Sequence, residues 1–210
     1  MTTIKICGMM RPADIAAVNA SRPDQIGFVF ARGRRRCVSH REAAVMKAML
    51  APAITAVGVF ADNPLEEIAA LLRRGVINVV QLHGHETEAA IAALRACVHC
   101  PVVQAFAIAS AEDLRRAEAS SAEMVLFDNG RGGTGQAFDW RWLRSVRRPF
   151  VLSGGLDAAN LEAALALRPA GIDLSSGVET DGAKDPAKIA ACVARFRALT
   201  NDLNDDRRKK

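Results

Sequence analysis

Two side chains that can transfer a proton follow hydrophobic runs far apart in the chain. Cys7 ends the run Ile4–Cys7 and is followed directly by Gly8, and Asp128 follows the run Met124–Phe127. A cysteine thiol acts as a base once it loses its proton, and a cationic neighbour or a helix dipole can lower its ordinary pKa of ~8.5 enough for this. A carboxylic acid near neutral pH needs a raised pKa. On opposite sides of one substrate, the two groups form an acid–base pair.

Three glycine-rich turns come late in the chain, each after a hydrophobic run. They are Gly132-Gly133-Thr134-Gly135, Ser153-Gly154-Gly155 and Ser175-Ser176-Gly177. Glycine lets backbone N–H groups approach an anion closely, and the serine and threonine hydroxyls add further donors. The three turns together therefore predict a phosphate-binding site.

Positive charge is concentrated in two segments of a chain whose formal net charge is +5. One is the arginine loop, Arg32-Gly33-Arg34-Arg35-Arg36, and the other is the C-terminal Arg207-Arg208-Lys209-Lys210. Such runs can indicate nucleic-acid binding, which would be strongly salt-dependent. We interpret the terminal run as a solvated tail, and we expect the arginine loop to contact a small anionic substrate, with no nucleic-acid partner.

Strand-like runs alternate with helical patterns eight times along the chain. Several are continuously apolar, as expected of parallel strands that are buried on both faces. The predicted strands are Ile4–Cys7, Gln25–Phe30, Ile54–Phe60, Val79–Leu82, Val102–Ala107, Met124–Phe127, Phe150–Leu152 and Ile172–Leu174. Eight βα units in ~200 residues predict a small single-domain α/β protein, a (β/α)₈ TIM barrel with outer helices. Its strand ends share one face, where Cys7 and Asp128 are expected to face each other.

Helix boundaries have their own signals. Ser39 and Glu42 have capping-box spacing, and Asn63 is expected to cap a helix whose first residue is Pro64. The last helix is expected to end near Leu199, which gives a barrel domain at residues 1–200 and a charged, disordered tail at 201–210. The alternative fold, a doubly wound open sheet, predicts a glycine-rich nucleotide turn after the first strand, and Cys7-Gly8-Met9 is not one.

The composition indicates the class of the protein and the compartment in which we expect it. Half of the 210 residues are hydrophobic, which is typical of a globular protein. No apolar run approaches the ~18 residues of a membrane span, and no leader pattern opens the chain. The five scattered cysteines do not resemble a disulfide framework. We therefore expect a cytoplasmic protein that has no membrane partner.

The motifs, taken together, resemble the phosphoribosylanthranilate isomerase family of tryptophan biosynthesis. The resemblance extends from about residue 4 to 199, in the order and near the spacing of the family. The segments that carry it are Lys5-Ile6-Cys7-Gly8, Gly27-Phe28-Val29-Phe30, Gln81-Leu82-His83-Gly84, Gly132-Gly133-Thr134-Gly135, Phe138-Asp139-Trp140, Leu152-Ser153-Gly154-Gly155-Leu156 and Ser175-Ser176-Gly177-Val178-Glu179.

This resemblance implies an Amadori rearrangement of N-(5′-phosphoribosyl)anthranilate to 1-(o-carboxyphenylamino)-1-deoxyribulose 5-phosphate. It implies that Cys7 is the general base, that Asp128 is the general acid, and that Arg36 contacts the anthranilate carboxylate. Arg34 and Arg35 remain alternatives for sharing that contact, since the loop is richer in arginine than is usual in the family. The glycine-rich turns would hold the phosphate.

The resemblance further implies a reaction without a metal or organic cofactor. His83 ends the fourth strand and is expected to make a supporting polar contact with the substrate. The protein is expected to be a monomer or a homodimer. A ribulose-phosphate epimerase is a weaker interpretation because it needs metal-binding residues at several strand ends. An indole-glycerol-phosphate synthase usually has an extra N-terminal helix and a catalytic lysine pair. Cys97 and Cys100 have CxxC spacing, but we assign them a structural role.

Overall fold

The eight predicted strands form one closed parallel barrel. A computed structural model describes residues 2–128 and 139–208 of the chain. The strands pair in sequence order, and the eighth closes on the first. Their bounds are β1 Thr3–Cys7, β2 Gln25–Val29, β3 Thr55–Phe60, β4 Val79–Leu82, β5 Val102–Ala107, β6 Met124–Asp128, β7 Phe150–Ser153 and β8 Gly171–Leu174. The prediction of a (β/α)₈ barrel is therefore confirmed, and the open sheet is excluded.

Helices surround the barrel. They are α1 Pro12–Ser21, α2 His40–Met49, α3 Leu65–Arg73, α4 Glu88–Cys97, α5 Ala111–Ala119, α6 Leu161–Ala166 and α7 Pro186–Arg208. Short 3₁₀ helices cover Trp140–Ser145 and Ser176–Val178, and a small hairpin of β9 (Glu179–Thr180) and β10 (Ala183–Lys184) precedes α7. Among the described residues, no helix is both long enough and apolar enough to cross a membrane.

Side chains alternate between the two faces of each strand, which gives one buried layer between the sheet and the helices and a second inside the barrel. On β1, Ile4 and Ile6 are fully buried in the large core that also contains the apolar helix residues. Each such side chain stabilises the fold by roughly 1.5–3 kcal/mol. Because successive strand residues point to opposite faces, Lys5 and Cys7 point the other way, into the barrel. The polar residues of the barrel interior thus share one side of the sheet.

One predicted helix start is confirmed and another is wrong. At the start of α2, the Ser39 hydroxyl accepts a hydrogen bond from the Glu42 N–H at 3.2 Å, and the Glu42 carboxylate accepts one from the Ser39 N–H at 2.7 Å. Asn63 does not cap α3. Its side-chain oxygen accepts from the Ala61 N–H at 3.0 Å instead, so it stabilises the turn after β3, and Pro64 is the N-cap residue.

The last helix is longer than predicted. It continues past Leu199 to Arg208, in a segment without glycine or proline, the two residues that most often end a helix. The division into a barrel domain at residues 1–200 and a charged tail at 201–210 stays a prediction.

Candidate active site

The predicted acid and base lie at the same end of the barrel. Cys7 is the last residue of β1, and Asp128 is the last residue of β6. These strands are separated by β7 and β8 in the closed sheet, so the two side chains are three strand positions apart around the mouth. Both are buried, with 8% of Cys7 and 5% of Asp128 exposed. The mouth therefore holds a thiol and a carboxyl group on opposing strands.

A glycine on the neighbouring strand makes room for the thiol. Cys7 lies beside Gly27 of β2, and a Cβ atom added at Gly27 would lie 2.6 Å from the Cys7 Sγ. Any larger residue there would displace the sulfur. The thiol also packs with Val29 and Val59 inside the barrel, so it is held in a mainly apolar pocket below the mouth.

An ion pair lies one layer below the thiol. The Lys5 Nζ is 2.7 Å from the Asp173 Oδ2, and both side chains are buried. Burial raises the pKa of the Cys7 thiol; the Lys5 and Lys184 ammonium groups oppose this rise, whereas Asp173 adds to it. The Lys5 and Lys184 cations act to lower this pKa, but desolvation of the thiolate outweighs them, so the net direction is upward from the ordinary value.

The predicted acid is hydrogen-bonded to a histidine from another strand. The His83 Nε2 lies 2.9 Å from the Asp128 Oδ2, and the His83 Nδ1 lies 3.2 Å from the Gln81 Nε2. In this arrangement Gln81 donates to Nδ1, so Nε2 carries the proton and donates to the carboxylate. Among the described residues, the buried Gln81 Oε1 has no hydrogen-bond partner. A rotated amide would let this oxygen accept from Nδ1–H, and Asp128 would then donate its proton to Nε2.

Two of the three glycine-rich turns lie side by side on β7 and β8. Ser153 pairs in register with Asp173, and the turn Ser175-Ser176-Gly177 follows β8 directly. A Cβ atom added at Gly177 would lie 1.9 Å from the Leu156 carbonyl oxygen, so only glycine permits this backbone contact. The turn Gly132-Gly133-Thr134-Gly135 lies outside the described residues.

Two backbone N–H groups of the β7 turn donate to no described residue. Gly154 and Gly155 have φ angles of +86° and +68°, which favour glycine. Within residues 2–128 and 139–208, neither of their N–H groups donates a hydrogen bond. Nearby, the Asn160 side chain donates to the Gly155 carbonyl at 2.7 Å and fixes the loop. Successive unpaired N–H groups at a strand end are suited to binding an anion.

The arginine loop meets the β8 side of the mouth through a glutamate. The Arg36 Nε and Nη2 donate to the Glu179 Oε1 and Oε2 at 2.6 and 2.8 Å. The Arg35 Nη2 donates to the Glu179 Oε2 at 2.6 Å, and the Lys184 Nζ donates to the Oε1 at 2.7 Å. For Arg34, no side-chain bond to a described residue is present. Sequence reasoning missed Glu179 and Lys184. The one available signal was the segment Ser175-Ser176-Gly177-Val178-Glu179, which resembles the family and contains Glu179.

Arg36 lies close to the predicted base. A Cβ atom added at Gly8 would lie 2.4 Å from the Arg36 Cδ, so the arginine side chain crosses the backbone next to Cys7. Its side chain is 13% exposed. The Arg36 guanidinium is therefore held near the thiol and retains limited access to the mouth.

Other cysteine and histidine residues do not form a second site. Cys97 is exposed and Cys100 is half-buried, at the end of α4 and before β5, away from the mouth. Over the part of the chain that the structure describes, no group of three or more potential metal ligands is present. The structural interpretation of the CxxC segment stays a prediction.

A closed (β/α)₈ barrel with a thiol, a carboxyl group and glycine-rich turns at the C-terminal ends of its strands is typical of the barrel enzymes, whose active sites lie at that face. The family model for N-(5′-phosphoribosyl)anthranilate isomerase matches residues 4–195. The chain therefore belongs to this isomerase family.

Relatives and solved structures agree with this assignment. The chain is 47% identical to the isomerase of Lactiplantibacillus plantarum, over 93% of this chain and 92% of the relative. It is 41% identical to that of Endomicrobium trichonymphae, over 95% and 100%. The isomerase structure from Thermus thermophilus superposes with a TM-score of 0.85 at 35% identity, over 95% and 100% of the two chains. An isomerase structure in complex with reduced 1-(o-carboxyphenylamino)-1-deoxyribulose 5-phosphate gives 0.83 at 31%, also over 95% and 100%.

Proposed function

We propose that this isomerase converts N-(5′-phosphoribosyl)anthranilate to 1-(o-carboxyphenylamino)-1-deoxyribulose 5-phosphate, with Cys7 as general base and Asp128 as general acid. The observation that carries the proposal is the arrangement at the mouth. Cys7 and Asp128 end strands β1 and β6, and the glycine-rich turns of β7 and β8 lie between them. A phosphate bound at these turns would hold the sugar between the two groups.

Asp128 performs the acid half of the reaction. Its carboxyl group donates a proton to the furanose ring oxygen as the bond between C1′ and that oxygen breaks, which leaves a Schiff base with the anthranilate nitrogen. The hydrogen bond to His83 at 2.9 Å supports this role, because Nε2–H can donate to the Asp128 Oδ2 both before and after the reaction, while Oδ1 holds the proton that is transferred to the ring oxygen. His83 thus orients Asp128. We also propose that His83 contacts the substrate directly.

Cys7 performs the base half. The thiolate removes the proton from C2′, and the electron pair of that C–H bond moves toward the Schiff base to give an enolamine. The enolamine then tautomerises to the ketone of the product. The nearby Lys5 and Lys184 favour the thiolate and oppose the cost of burial, which supports Cys7 as the group that accepts this proton.

Two anchors hold the ends of the substrate. The N–H groups and hydroxyls of Ser153-Gly154-Gly155 and Ser175-Ser176-Gly177 bind the phosphate, together with Gly133, Thr134 and Gly135 of the first turn. Arg36 binds the anthranilate carboxylate, since a planar guanidinium matches a planar carboxylate. Arg35 donates through Nη1 to the Gly182 carbonyl and through Nη2 to Glu179, whereas Arg36 uses only Nε and Nη2 for Glu179. This difference favours Arg36 over Arg35 for the contact.

We further propose that the enzyme is cytoplasmic, that it needs neither a metal nor an organic cofactor, and that it binds neither nucleic acid nor membranes. A homodimer and a monomer are both consistent with the family, since one solved relative from Thermotoga maritima is described as monomers generated from a dimeric isomerase. Sedimentation of the purified chain decides between them.

A fluorescence assay tests the assignment of the two catalytic groups. Consumption of the anthranilate adduct is followed for wild type, Cys7→Ser and Asp128→Asn, with circular dichroism to verify folding. Loss of a general acid or base is expected to lower kcat by about 10²–10⁴-fold. Two folded variants with undiminished turnover would contradict the mechanism. Full activity of Arg36→Ala with an unchanged KM would contradict only the carboxylate contact.

A further inference from the structure

Glu179 is a buried acid at the mouth to which the reaction scheme assigns no role. Its side chain is 5% exposed, and its two oxygens accept hydrogen bonds from Arg35, Arg36 and Lys184. It is the first residue of β9 and lies 143 positions from Arg36 in the sequence. Two segments that are distant in the chain, the arginine loop and the β9–β10 hairpin, therefore meet at one carboxylate.

The way in which Glu179 binds Arg36 leaves one edge of the guanidinium available. The bond to Nε and Nη2 is a bidentate contact on one side of the planar group. A guanidinium has five N–H donors, so Nη1 and the outer hydrogen of Nη2 form a second edge. Within the described ranges, no residue accepts a hydrogen bond from Nη1. The same arginine can therefore bind a second carboxylate without releasing the first.

Charge at this cluster also favours a second anion. Arg35, Arg36 and Lys184 contribute three positive charges and Glu179 one negative charge, so the cluster has a formal charge of +2. The Lys184 side chain is fully buried and also donates to the Ser175 carbonyl at 2.8 Å. This excess positive charge lies beside the turn proposed to hold the phosphate and beside the strand that ends at Cys7.

We propose that Glu179 is a positioning residue for the anthranilate carboxylate: it occupies one edge of Arg36 and so presents the other edge to the substrate. This inference rests on the proposed function, since it requires Arg36 to bind that carboxylate. A purely structural role for Glu179, in which it only ties β9 to the arginine loop, predicts a different pattern of kinetic effects.

A substrate without the carboxylate separates the two roles. Steady-state kinetics are measured for wild type, Glu179→Gln and Glu179→Asp with N-(5′-phosphoribosyl)anthranilate and with N-(5′-phosphoribosyl)aniline. For Glu179→Gln we expect KM for the anthranilate substrate to rise about tenfold or more while kcat changes less. With the aniline analogue, KM of the variant and of wild type should agree within about twofold. Glu179→Asp, which retains the charge, should recover part of the lost affinity.

Glu162→Gln is the matched control, because Glu162 forms an exposed ion pair with Arg195 at 3.0 Å on the outer helices. It should leave both KM values unchanged. Equal losses on the two substrates, or a KM for the anthranilate substrate that stays the same or falls, would overturn the inference. Failure of wild type to convert the anthranilate substrate would instead overturn the proposed function, so the two failures are distinguishable.

If Glu179→Gln does not fold, the same comparison is made by binding. Fluorescence titration with reduced 1-(o-carboxyphenylamino)-1-deoxyribulose 5-phosphate is then carried out on Glu179→Asp, with inorganic phosphate as the probe that lacks the carboxylate. The inference requires weaker binding of the carboxylated probe and unchanged binding of phosphate. Equal weakening of both probes contradicts it.

Discussion

The imidazole Nε2 of His83 lies 2.9 Å from the Oδ2 of Asp128. His83 follows β4 and Asp128 ends β6, so the histidine reaches across the end of β5 to contact the proposed acid. A neutral imidazole both donates and accepts a hydrogen bond, and it can therefore orient Asp128 in either protonation state. The contact links Asp128 to β4, a strand that does not pair with β6.

Replacement of His83 is expected to slow catalysis without preventing folding. His83→Leu removes the contact to Asp128, and we expect kcat to fall about tenfold to a hundredfold, less than for loss of Asp128 itself. The control is His85→Gln, because His85 is 96% exposed and pairs with Asp62 outside the mouth. Steady-state kinetics of the two variants provide the measurement. Equal kinetics for both variants and wild type would argue against an orienting role.

The pH dependence of kcat/KM is expected to report the buried thiol. Burial raises the pKa of Cys7 above its ordinary value, so the thiolate is a minor form at neutral pH. The mechanism also needs Asp128 to be protonated, and loss of that proton with rising pH would offset the gain in thiolate. The measurement is therefore made on Asp128→Asn, in which we expect the residual kcat/KM to rise about tenfold per pH unit from about pH 7 toward the thiol pKa. A flat profile of this variant, in buffers of constant ionic strength, would contradict the assignment of Cys7 as the base of the free enzyme.

Alanine at Gly177 is expected to move the β8 turn. Its Cβ atom would lie 1.9 Å from the Leu156 carbonyl oxygen, so the backbone must shift, at a cost of about 2 kcal/mol or more. We expect a lower free energy of unfolding in urea and a higher KM. Gly75→Ala is the control: its φ is +67°, and an added Cβ would meet nothing within 4 Å. This variant should lose only about 1–2 kcal/mol and keep its KM.

Glu179 is expected to contribute to the loss of stability in acid. Burial raises its pKa, but hydrogen bonds from Arg36 and Lys184 outweigh this and lower the pKa from 4.5 to about 2. A carboxyl group with a depressed pKa stabilises the fold above its unfolded pKa, and this stabilisation is lost as the pH falls from 4.5 toward 2.

Urea unfolding of wild type and Glu179→Gln tests this contribution. The difference in free energy of unfolding between them should be constant above about pH 5 and should shrink as the pH is lowered toward 3. Glu162→Gln, with its exposed ion pair, should show no such trend. A difference that is independent of pH would contradict the lowered pKa.

Local signals in the sequence were sufficient to predict the barrel and the positions at which its strands end. The run Ile4–Cys7 and the box formed by Ser39 and Glu42 depend on neighbouring residues alone, and both are present in the structure. The Asn63 cap is wrong for a related reason. The side-chain oxygen of an asparagine before a proline can accept a hydrogen bond from the first turn of the helix or from the turn that precedes the helix. Here it accepts from the Ala61 N–H.

The features that sequence reasoning missed depend on the closed barrel. Arg36 and Glu179 are 143 positions apart, and no periodic pattern links them. Their contact exists because the β2 and β8 ends lie on either side of β1. The direction of the Cys7 pKa shift depends on depth of burial, which a run of residue types does not reveal.

The ion pair of Lys5 and Asp173 joins the first strand to the last, between residues 168 positions apart. During synthesis, Cys7 leaves the ribosome long before Asp173 has been added. The electrostatic surroundings of the thiol are therefore assembled only in a chain that has received its eighth strand. In a chain that lacks β8, Cys7 has no Lys5–Asp173 ion pair beside it, so the thiol acquires these surroundings only when the barrel closes.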